Sequence, residues 1–443
     1  MARRIFGTDG VRGRVGEHPM TVEFALRLAS AAARVLAPSG GIALVGKDTR
    51  LSGYMFEAAL EAGFVAAGVD AHLIGPLPTP GIAYLTQHFG CRFGVVISAS
   101  HNLYEDNGIK FFDSAGSKLS DEVEEQIEQL LDEPALTRES ISLGRATRVD
   151  KSRGIYQDFC ASTMPAGIDL AGLKVVIDCA HGAAYKVAPR VLTDLGAEII
   201  PIGCSPNGRN INLRCGSTAP ELLQLTVSGV GADVGIALDG DGDRLVMVDH
   251  LGRLVDGDRL LYVIARDRHR QGELKGPVVG TVMSNLGLEQ SLQADGIPFL
   301  RAAVGDRYVL AMLREHGGVL GGETSGHLLC LDRTTTGDGL VSALQVLAVM
   351  KRTGRPLAEL TAGMPQFPQV MVNVRVRERI DPRQSPAIQA AVSRVEAALG
   401  RTGRVVLRAS GTEPLIRVMV EGEDEAVVTR HANELAETVR RAV

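Results

Sequence analysis

Residues 234–248 read VGIALDGDGDRLVMV, which is an apolar run, an acidic glycine loop and a second apolar run. Short apolar runs bounded by turn residues are typical of strands buried on both faces. Strands of this kind occur mainly in sheets that helices cover on both sides. The stretch therefore predicts a strand–loop–strand unit inside an α/β domain.

The same alternation extends along the chain. Further apolar runs predict strands at 41–46, 93–98, 174–178 and 278–282, and helical patterns lie between them, for example at 21–36 and 121–131. The last eighty residues differ: they read as strand, helix, two strands and helix, at 370–376, 385–399, 404–408, 415–421 and from 424. We therefore predict three consecutive α/β domains with mixed sheets and a smaller C-terminal α+β domain, at 1–151, 152–252, 253–366 and 367–443. The stretch 364–368 (MPQFP) suggests a hinge before the fourth domain.

Length and composition agree with several domains. The chain has 443 residues, 45% of them hydrophobic, and a net charge of −5, which gives no electrostatic reason to bind nucleic acid. We find no apolar run long enough for a transmembrane helix and no secretion signal. The six cysteines are scattered without a CxxC pair, as in reduced thiols. We therefore expect a cytoplasmic protein that binds neither membranes nor nucleic acid, with a homodimer as the default oligomer.

The loop DGDGDR at 239–244 places Asp239, Asp241 and Asp243 at alternate positions. Three carboxylates so spaced can converge on one hard cation and leave coordination positions open, which suits Mg²⁺. The loop is not an EF-hand, because its sixth position is Arg244 and its twelfth is His250. The alternative is an acidic turn in a hairpin.

Ser100 lies in SASHN at 98–102, just past the carboxyl end of a predicted strand, where α/β folds place reactive groups. Alone, this segment reads as a polar turn, since neither a GxSxG elbow nor a catalytic triad is evident. Downstream, NGIK at 107–110 predicts a turn that supplies the cation Lys110, which could assist proton transfer or hold phosphate.

Two glycine-rich motifs offer groups for a sugar phosphate. RASGTEP at 408–414, followed by Arg417, combines an anion-binding nest with two hydroxyls and two arginines, although it also reads as a hairpin turn. GGETSGH at 321–327 carries a carboxylate, a hydroxyl and an imidazole suited to sugar hydroxyls, or is simply a loop before a helix. Two weaker patches, at 6–13 and 46–53, each place an arginine, Arg12 or Arg50, in a glycine-flanked turn.

Together these motifs resemble the α-D-phosphohexomutase family over residues 6–421. FGTDGVRG at 6–13, NIN at 210–212, CGST at 215–218 and VGDRYV at 304–309 resemble the branch that acts on glucosamine phosphates. The family arrangement implies four domains around a central cleft, with one key loop from each. Two positions depart from the family pattern: Leu103 stands where proline is usual, and Thr324 stands where glutamine is usual.

The resemblance also implies a role for each motif residue. Ser100 is the expected phosphorylated serine, and it would join Asp239, Asp241 and Asp243 around one Mg²⁺. The expected residues at the reaction centre are Arg12, Lys110, Arg244 and His327, and His327 or Lys110 would be the general base or acid. Sugar hydroxyls would contact Glu323 and Ser325. The phosphate that is not transferred would be bound by Arg408, Ser410, Gly411, Thr412 and Arg417.

The implied reaction converts glucosamine 6-phosphate into glucosamine 1-phosphate. It would pass through a phosphoserine enzyme and a 1,6-bisphosphate, with glucosamine 1,6-bisphosphate as activator, and would supply UDP-N-acetylglucosamine and cell-wall synthesis. The fourth domain is the expected moving lid. Alternatives are a mutase for mannose or glucose phosphates, a Mg²⁺-dependent sugar phosphatase, and a non-catalytic sugar-phosphate binder.

Overall fold

The computed structural model describes residues 5–7, 9–376, 381–409 and 415–442. Their strands form four sheets, three of them mixed and the last antiparallel. Each mixed sheet is accompanied by helices, which confirms three α/β units and a smaller α+β unit. Within these residues, no helix combines the length and apolarity needed to cross a membrane.

The first sheet has six strands in the order β1-β5-β4-β2-β3-β6. Its strands are β1 Val11–Arg14, β2 Ile42–Lys47, β3 Asp70–Pro76, β4 Phe93–Ile97, β5 Asp106–Asp113 and β6 Ala146–Arg148. Its helices are α1 Val22–Leu36, α2 Ser52–Ala66, α3 Thr79–His88 and α4 Asp121–Leu130. β2, β3, β4 and β6 run parallel, whereas β5 pairs antiparallel with both β4 and β1.

Two predicted turns proved to be strands. Lys110 lies on β5 rather than in a turn, and Arg12 lies opposite Gly108 on β1. An Asn-Gly pair favours a tight turn locally. Here Asn107 is fully buried, and a Cβ on Gly108 would lie 2.6 Å from the carbonyl oxygen of Ser98. The glycine therefore permits close strand packing, and sheet pairing overrides the local turn preference.

The second sheet has the order β11-β10-β9-β7-β8. Its strands are β7 Lys174–Asp178, β8 Glu198–Ile202, β9 Val234–Leu238, β10 Leu245–Asp249 and β11 Leu254–Val255, and its helices are α5 Ser152–Ser162, α6 Ala188–Asp194 and α7 Glu221–Val230. The DGDGDR loop joins β9 to its antiparallel neighbour β10, so it is a hairpin turn as well as an acidic cluster. The predicted boundary at residue 252 falls between the paired strands β10 and β11.

The third sheet has the order β13-β12-β14-β15. Its strands are β12 Val278–Thr281, β13 Phe299–Ala302, β14 Leu320–Gly322 and β15 Leu328–Cys330, and its helices are α8 Gly257–Gln271, α9 Leu286–Ala294, α10 Asp306–His316, α11 Gly339–Thr353 and α12 Leu357–Thr361. The fourth sheet, ordered β16-β18-β17, consists of β16 Gln369–Arg375, β17 Gly403–Ala409 and β18 Leu415–Gly422, with α13 Pro386–Leu399 and α14 Glu425–Ala442.

One hydrophobic cluster spans the three α/β units, and each of them also has a separate cluster of its own. The largest buried cluster contains Leu44 from the first unit, Ile177 from the second and Leu344 on α11 from the third. The fourth unit has separate clusters, which include Val374, Ile416 and Val428. Apolar packing is therefore continuous between the first three units, whereas the buried clusters of the fourth unit are its own.

Candidate active site

Ser100 lies directly after β4 in a strained backbone conformation. Its φ of +51° is in the left-handed region, which non-glycine residues rarely occupy. The side chain is buried, and its Oγ donates a hydrogen bond to Oδ2 of Asp239 at 2.7 Å. This brings together two loops that the sequence separates by 139 residues. The predicted nucleophile and the predicted metal loop therefore meet.

Two buried side chains form hydrogen bonds to the backbone of the loop that contains Ser100, which we call the serine loop. Arg50 donates to the carbonyl oxygens of Ser100 and Asn102 at 3.0 and 2.8 Å, and also to that of Leu103. Nδ2 of Asn212, from the second unit, donates to the same Ser100 and Asn102 oxygens at 2.8 Å each. The loop is thus positioned by side-chain hydrogen bonds, although Leu103 replaces the usual proline.

His101 also lies beside the serine hydroxyl. Its Nδ1 is 3.4 Å from Oγ of Ser100, a contact that adjacency in sequence did not establish. Burial, with Arg244 and Arg12, lowers the pKa of His101 to about 4. The imidazole is therefore neutral at physiological pH.

The three aspartates form a compact acidic cluster. Asp239, Asp241 and Asp243 are buried, and one carboxylate oxygen of each lies within 4.8 Å of the others. Oδ1 of Asp241 and Oδ1 of Asp243 are buried without a hydrogen-bond partner in the described residues. Burial and the charges of Asp243 and Asp241 raise the pKa of Asp239 well above its usual range. Free lone pairs and mutual repulsion fit a site for a hard divalent cation such as Mg²⁺.

Two predicted cations border this cluster. Lys110 is buried, and its Nζ lies 2.9 Å from Oδ2 of Asp241 and 2.9 Å from Oδ2 of Asp9. Although burial opposes the charged form, these carboxylates raise the pKa of Lys110. The backbone N–H of Arg244 donates to Oδ1 of Asp239 at 3.2 Å. Although burial opposes its charged form, Asp243 and Asp239 raise the pKa of Arg244. Lys110 and Arg244 therefore supply positive charge beside the aspartate cluster.

His327 faces two carboxylates. Its Nδ1 is 3.6 Å from Oδ2 of Asp243, and its Nε2 is 3.4 Å from Oδ2 of Asp306. Burial disfavours the charged imidazole, but Asp243 and Asp306 outweigh it and raise the pKa of His327 to about 9. The ring is therefore protonated at neutral pH.

Three further charged residues also lie at the site, although the sequence predicted no role for them: Asp9, Lys118 and Asp306. Nζ of Lys118 lies 2.6 Å from Oδ1 of Asp9 and 2.6 Å from Oδ2 of Asp306. Asp9 also pairs with Arg12. The alternating charges link the first unit to His327 in the third. Asp9 belongs to the FGTDGVRG motif, so the sequence did indicate that it matters. Lys118 belongs to no motif, and nothing in the sequence indicated its position at the site.

The GETSGH loop lies between β14 and β15. Oε1 of Glu323 accepts the backbone N–H of Gly305 at 3.0 Å, while Ser325 is exposed. The loop packs tightly, because a Cβ on Gly326 would lie 1.9 Å from the carbonyl oxygen of Leu245. Glu323 is therefore held in place and Ser325 is open to a ligand.

Arg408 and Arg417 are direct cross-strand partners on β17 and β18. The Nε of each is buried without a hydrogen-bond partner in the described parts of the chain. Burial and the charge of Arg417 lower the pKa of Arg408, while Glu323 opposes this. Ser410, Gly411 and Thr412, the predicted nest, lie outside the described residues. Arg408 and Arg417 therefore form a cationic pair on neighbouring strands.

Comparison with family models identifies all four units. The matching models are phosphoglucomutase/phosphomannomutase alpha/beta/alpha domain I at residues 3–138, domain II at 156–252, domain III at 256–367 and the C-terminal domain at 371–438. Together they cover most of the chain in the order in which its sheets occur.

Individual proteins match the chain over its full length. The chain is 58% identical to the phosphoglucosamine mutase of Methylococcus capsulatus over 444 residues, covering 100% of this chain and 99% of that protein. It is also 58% identical to that of Aeromonas hydrophila, with 100% of both chains covered.

Solved structures share the fold. A phosphoglucomutase/phosphomannomutase family protein from Burkholderia thailandensis superposes with a TM-score of 0.81 at 24% identity, covering 99% of this chain and 97% of the other. The Aspergillus fumigatus N-acetylphosphoglucosamine mutase, solved with GlcNAc-6P and magnesium, superposes with a TM-score of 0.72 at 19% identity, covering 99% and 96%. The superpositions show a shared fold. The four family models and the full-length sequence relatives place the chain in the phosphoglucomutase/phosphomannomutase family.

Proposed function

We propose that the chain is a phosphoglucosamine mutase, which interconverts glucosamine 6-phosphate and glucosamine 1-phosphate. The observation that carries the chemistry is the hydrogen bond from Oγ of Ser100 to Asp239 inside the aspartate cluster. The sugar assignment is supported by the full-length 58% identity to phosphoglucosamine mutases. The same family membership supports neutral hexose phosphates as the second candidate substrates.

Ser100 would carry a phosphoryl group between turnovers. Its phosphoserine donates this group to the free hydroxyl of glucosamine 6-phosphate: a new O–P bond forms at O1 and the bond from phosphorus to Oγ breaks. The resulting 1,6-bisphosphate turns over in the site. Oγ of Ser100 then takes the phosphoryl group from O6, which releases glucosamine 1-phosphate and restores the phosphoserine.

The charged groups at the site suit this transfer. Asp239, Asp241 and Asp243 would hold Mg²⁺, with Ser100 beside them, and the bound ion would neutralise phosphoryl oxygens. Lys110 and Arg12 add fixed positive charge, which is what phosphoryl transfer chiefly requires. With a pKa nearer neutrality than that of Lys110, His327 is the better proton carrier of the two.

The rest of the substrate would be bound by groups from two units. Glu323 and Ser325 would contact sugar hydroxyls, and Arg408 and Arg417, with Ser410, Gly411 and Thr412, would hold the phosphate that does not react. Bidentate guanidinium groups tolerate either phosphate of a turned substrate because they recognise the anion and not the sugar. The fourth unit would close as a lid over the substrate. The unit boundaries at 151, 252 and 366, the bisphosphate activator and a homodimer are part of the same proposal.

A coupled assay tests this function. The purified chain is given Mg²⁺, trace glucosamine 1,6-bisphosphate as activator and, in turn, glucosamine, glucose and mannose phosphates, while free phosphate is followed. We expect the highest kcat/KM with glucosamine phosphate and no steady phosphate release. A higher kcat/KM for a neutral hexose phosphate would show that this sugar, and not glucosamine, is the preferred substrate. Steady phosphate release would indicate a phosphatase.

A further inference from the structure

Asp258 forms hydrogen bonds both to the GETSGH loop and to the segment on which the fourth unit packs. It is the second residue of α8 and is fully buried. A single oxygen, Oδ2, accepts two hydrogen bonds of 2.8 Å, one from Oγ1 of Thr324 and one from the backbone N–H of Asn285. Thr324 belongs to the loop that carries Glu323, whereas Asn285 belongs to a different segment of the third unit.

The loop side of this connection is closely packed. The backbone N–H of Gly257 donates to the carbonyl oxygen of Thr324 at 3.1 Å. A Cβ on Gly257 would lie 2.2 Å from the carbonyl oxygen of Glu323. The start of α8 is therefore in direct contact with the loop, with no space for a side chain between them.

On the other side lies the segment 282–286, which we name the seat of the fourth unit. Asn285 pairs with the backbone of Phe367 through both ends of its amide, at 2.9 and 3.1 Å. The fourth unit docks on the same segment through three side chains. Arg404 donates to the carbonyl oxygens of Val282 and Ser284, Gln369 donates to that of Met283, and Glu421 accepts the N–H of Leu286.

We propose that Asp258 is a positioning residue that couples the sugar-binding loop to the seat of the fourth unit. A sugar phosphate that engages Glu323 and Ser325 would shift the Thr324 hydroxyl against Asp258, and Asp258 would pass this shift to Asn285 and Phe367. The arginine pair of the fourth unit would then approach the substrate only when the sugar is seated. The inference rests on the proposed function, since it takes this loop as the sugar site.

The chemistry of the group supports this role. One oxygen that accepts hydrogen bonds from two separate segments ties their positions together, because a buried donor that loses its acceptor incurs a desolvation penalty. Burial and the negative charge of Asp256 raise the pKa of Asp258 to about 7.

Hydrogen exchange of the full chain tests the coupling. In the wild type, saturating glucosamine 6-phosphate should slow exchange both in the loop 321–327 and in the junction 364–370. In Thr324→Val, which replaces the hydroxyl with a methyl group of similar size, we expect the junction to lose at least half of this slowing and KM to rise more than kcat falls. Thr324→Ser, which keeps the hydroxyl, should restore both. Thr324 is half-buried in a loop, so these variants test the coupling without disturbing the core.

Val263→Ala is the matched control, because Val263 lies on α8 with 3% of its surface exposed and belongs to the large hydrophobic cluster. It should lower stability but keep the slowing at the junction. Full junction protection in Thr324→Val would overturn the proposal, as would a wild type whose junction responds to none of glucosamine, glucose and mannose phosphates. If glucosamine phosphate is not turned over, the proposed substrate fails instead, and the variants are compared with the hexose phosphate that is turned over.

Discussion

Oγ of Ser100 lies 2.7 Å from Oδ2 of Asp239, and the two residues belong to different α/β units. The contact joins the strained end of β4 to the hairpin between β9 and β10. Neither loop could form this arrangement alone, because the serine supplies the hydroxyl and the hairpin supplies the charge.

Replacing the serine hydroxyl should abolish turnover. Ser100→Ala removes the atom that carries the phosphoryl group, so kcat should fall to the background of the assay. Asp239→Asn keeps the shape but weakens the charge, and removal of one such electrostatic contact costs about 10²–10³ in rate. Steady-state assays with unchanged circular dichroism check both. Near-normal turnover of Ser100→Ala would contradict the phosphoserine scheme.

Repulsion within the acidic cluster should destabilise the folded chain when Mg²⁺ is absent, and bound Mg²⁺ should relieve this repulsion. Because burial and the neighbouring aspartates raise the pKa of Asp239, its charged form is disfavoured in the folded chain. At 100 times the Kd, a bound ion adds about 2.7 kcal/mol to the free energy of unfolding. We expect Mg²⁺ to raise the Tm of the wild type.

Asp239→Asn should raise the Tm in the presence of chelator and reduce the response to Mg²⁺. Asp249→Asn is the matched control, since Asp249 is equally buried but binds the backbone of its own hairpin turn. It should lower the Tm and leave the Mg²⁺ response intact. Differential scanning calorimetry measures both, and an unchanged Mg²⁺ response in Asp239→Asn would exclude this residue from the site.

Removal of Arg50 should destabilise the chain and disorder the serine loop. Arg50 is fully buried, pairs with Asp48 at 2.8 Å and holds three carbonyl oxygens of the loop. Breaking a buried ion pair from one side costs about 3–5 kcal/mol. Urea unfolding of Arg50→Met should show a loss of this size, together with a fall in kcat larger than the change in KM. A loss of less than about 1 kcal/mol in the free energy of unfolding would show that the serine loop does not depend on Arg50 for its conformation.

Stability should depend on pH through Asp258. Burial and the charge of Asp256 raise its pKa from 3.8 to about 7 in the folded chain. The contribution of this carboxyl to stability is therefore fully present below pH 3.8 and is lost as the pH rises toward 7. Asparagine does not titrate, so the free energy of unfolding of Asp258→Asn, relative to the wild type, should increase across this interval. Urea unfolding at a series of pH values measures the difference, and a constant difference would place the pKa outside this range.

Local signals predicted most of the architecture. The strands at 174–178 and 234–238 lie where their apolar runs indicated, and the mixed sheets with a final α+β unit were expected from the order of elements. The aspartates at alternate positions predicted a cluster because the spacing is a property of five consecutive residues. Short-range patterns were sufficient wherever the neighbours along the chain were also the neighbours in space.

Tertiary structure alone decided the rest. NGIK became a strand because burial of Asn107 and pairing of Gly108 outweigh a local turn preference. Lys118 meets Asp9 and Asp306 only because the first and third units pack together, and Asp258 links a loop to an interdomain seat for the same reason. Contacts between distant segments leave no periodic pattern in the sequence, since their free energy depends on burial and charge that exist only after the units have assembled.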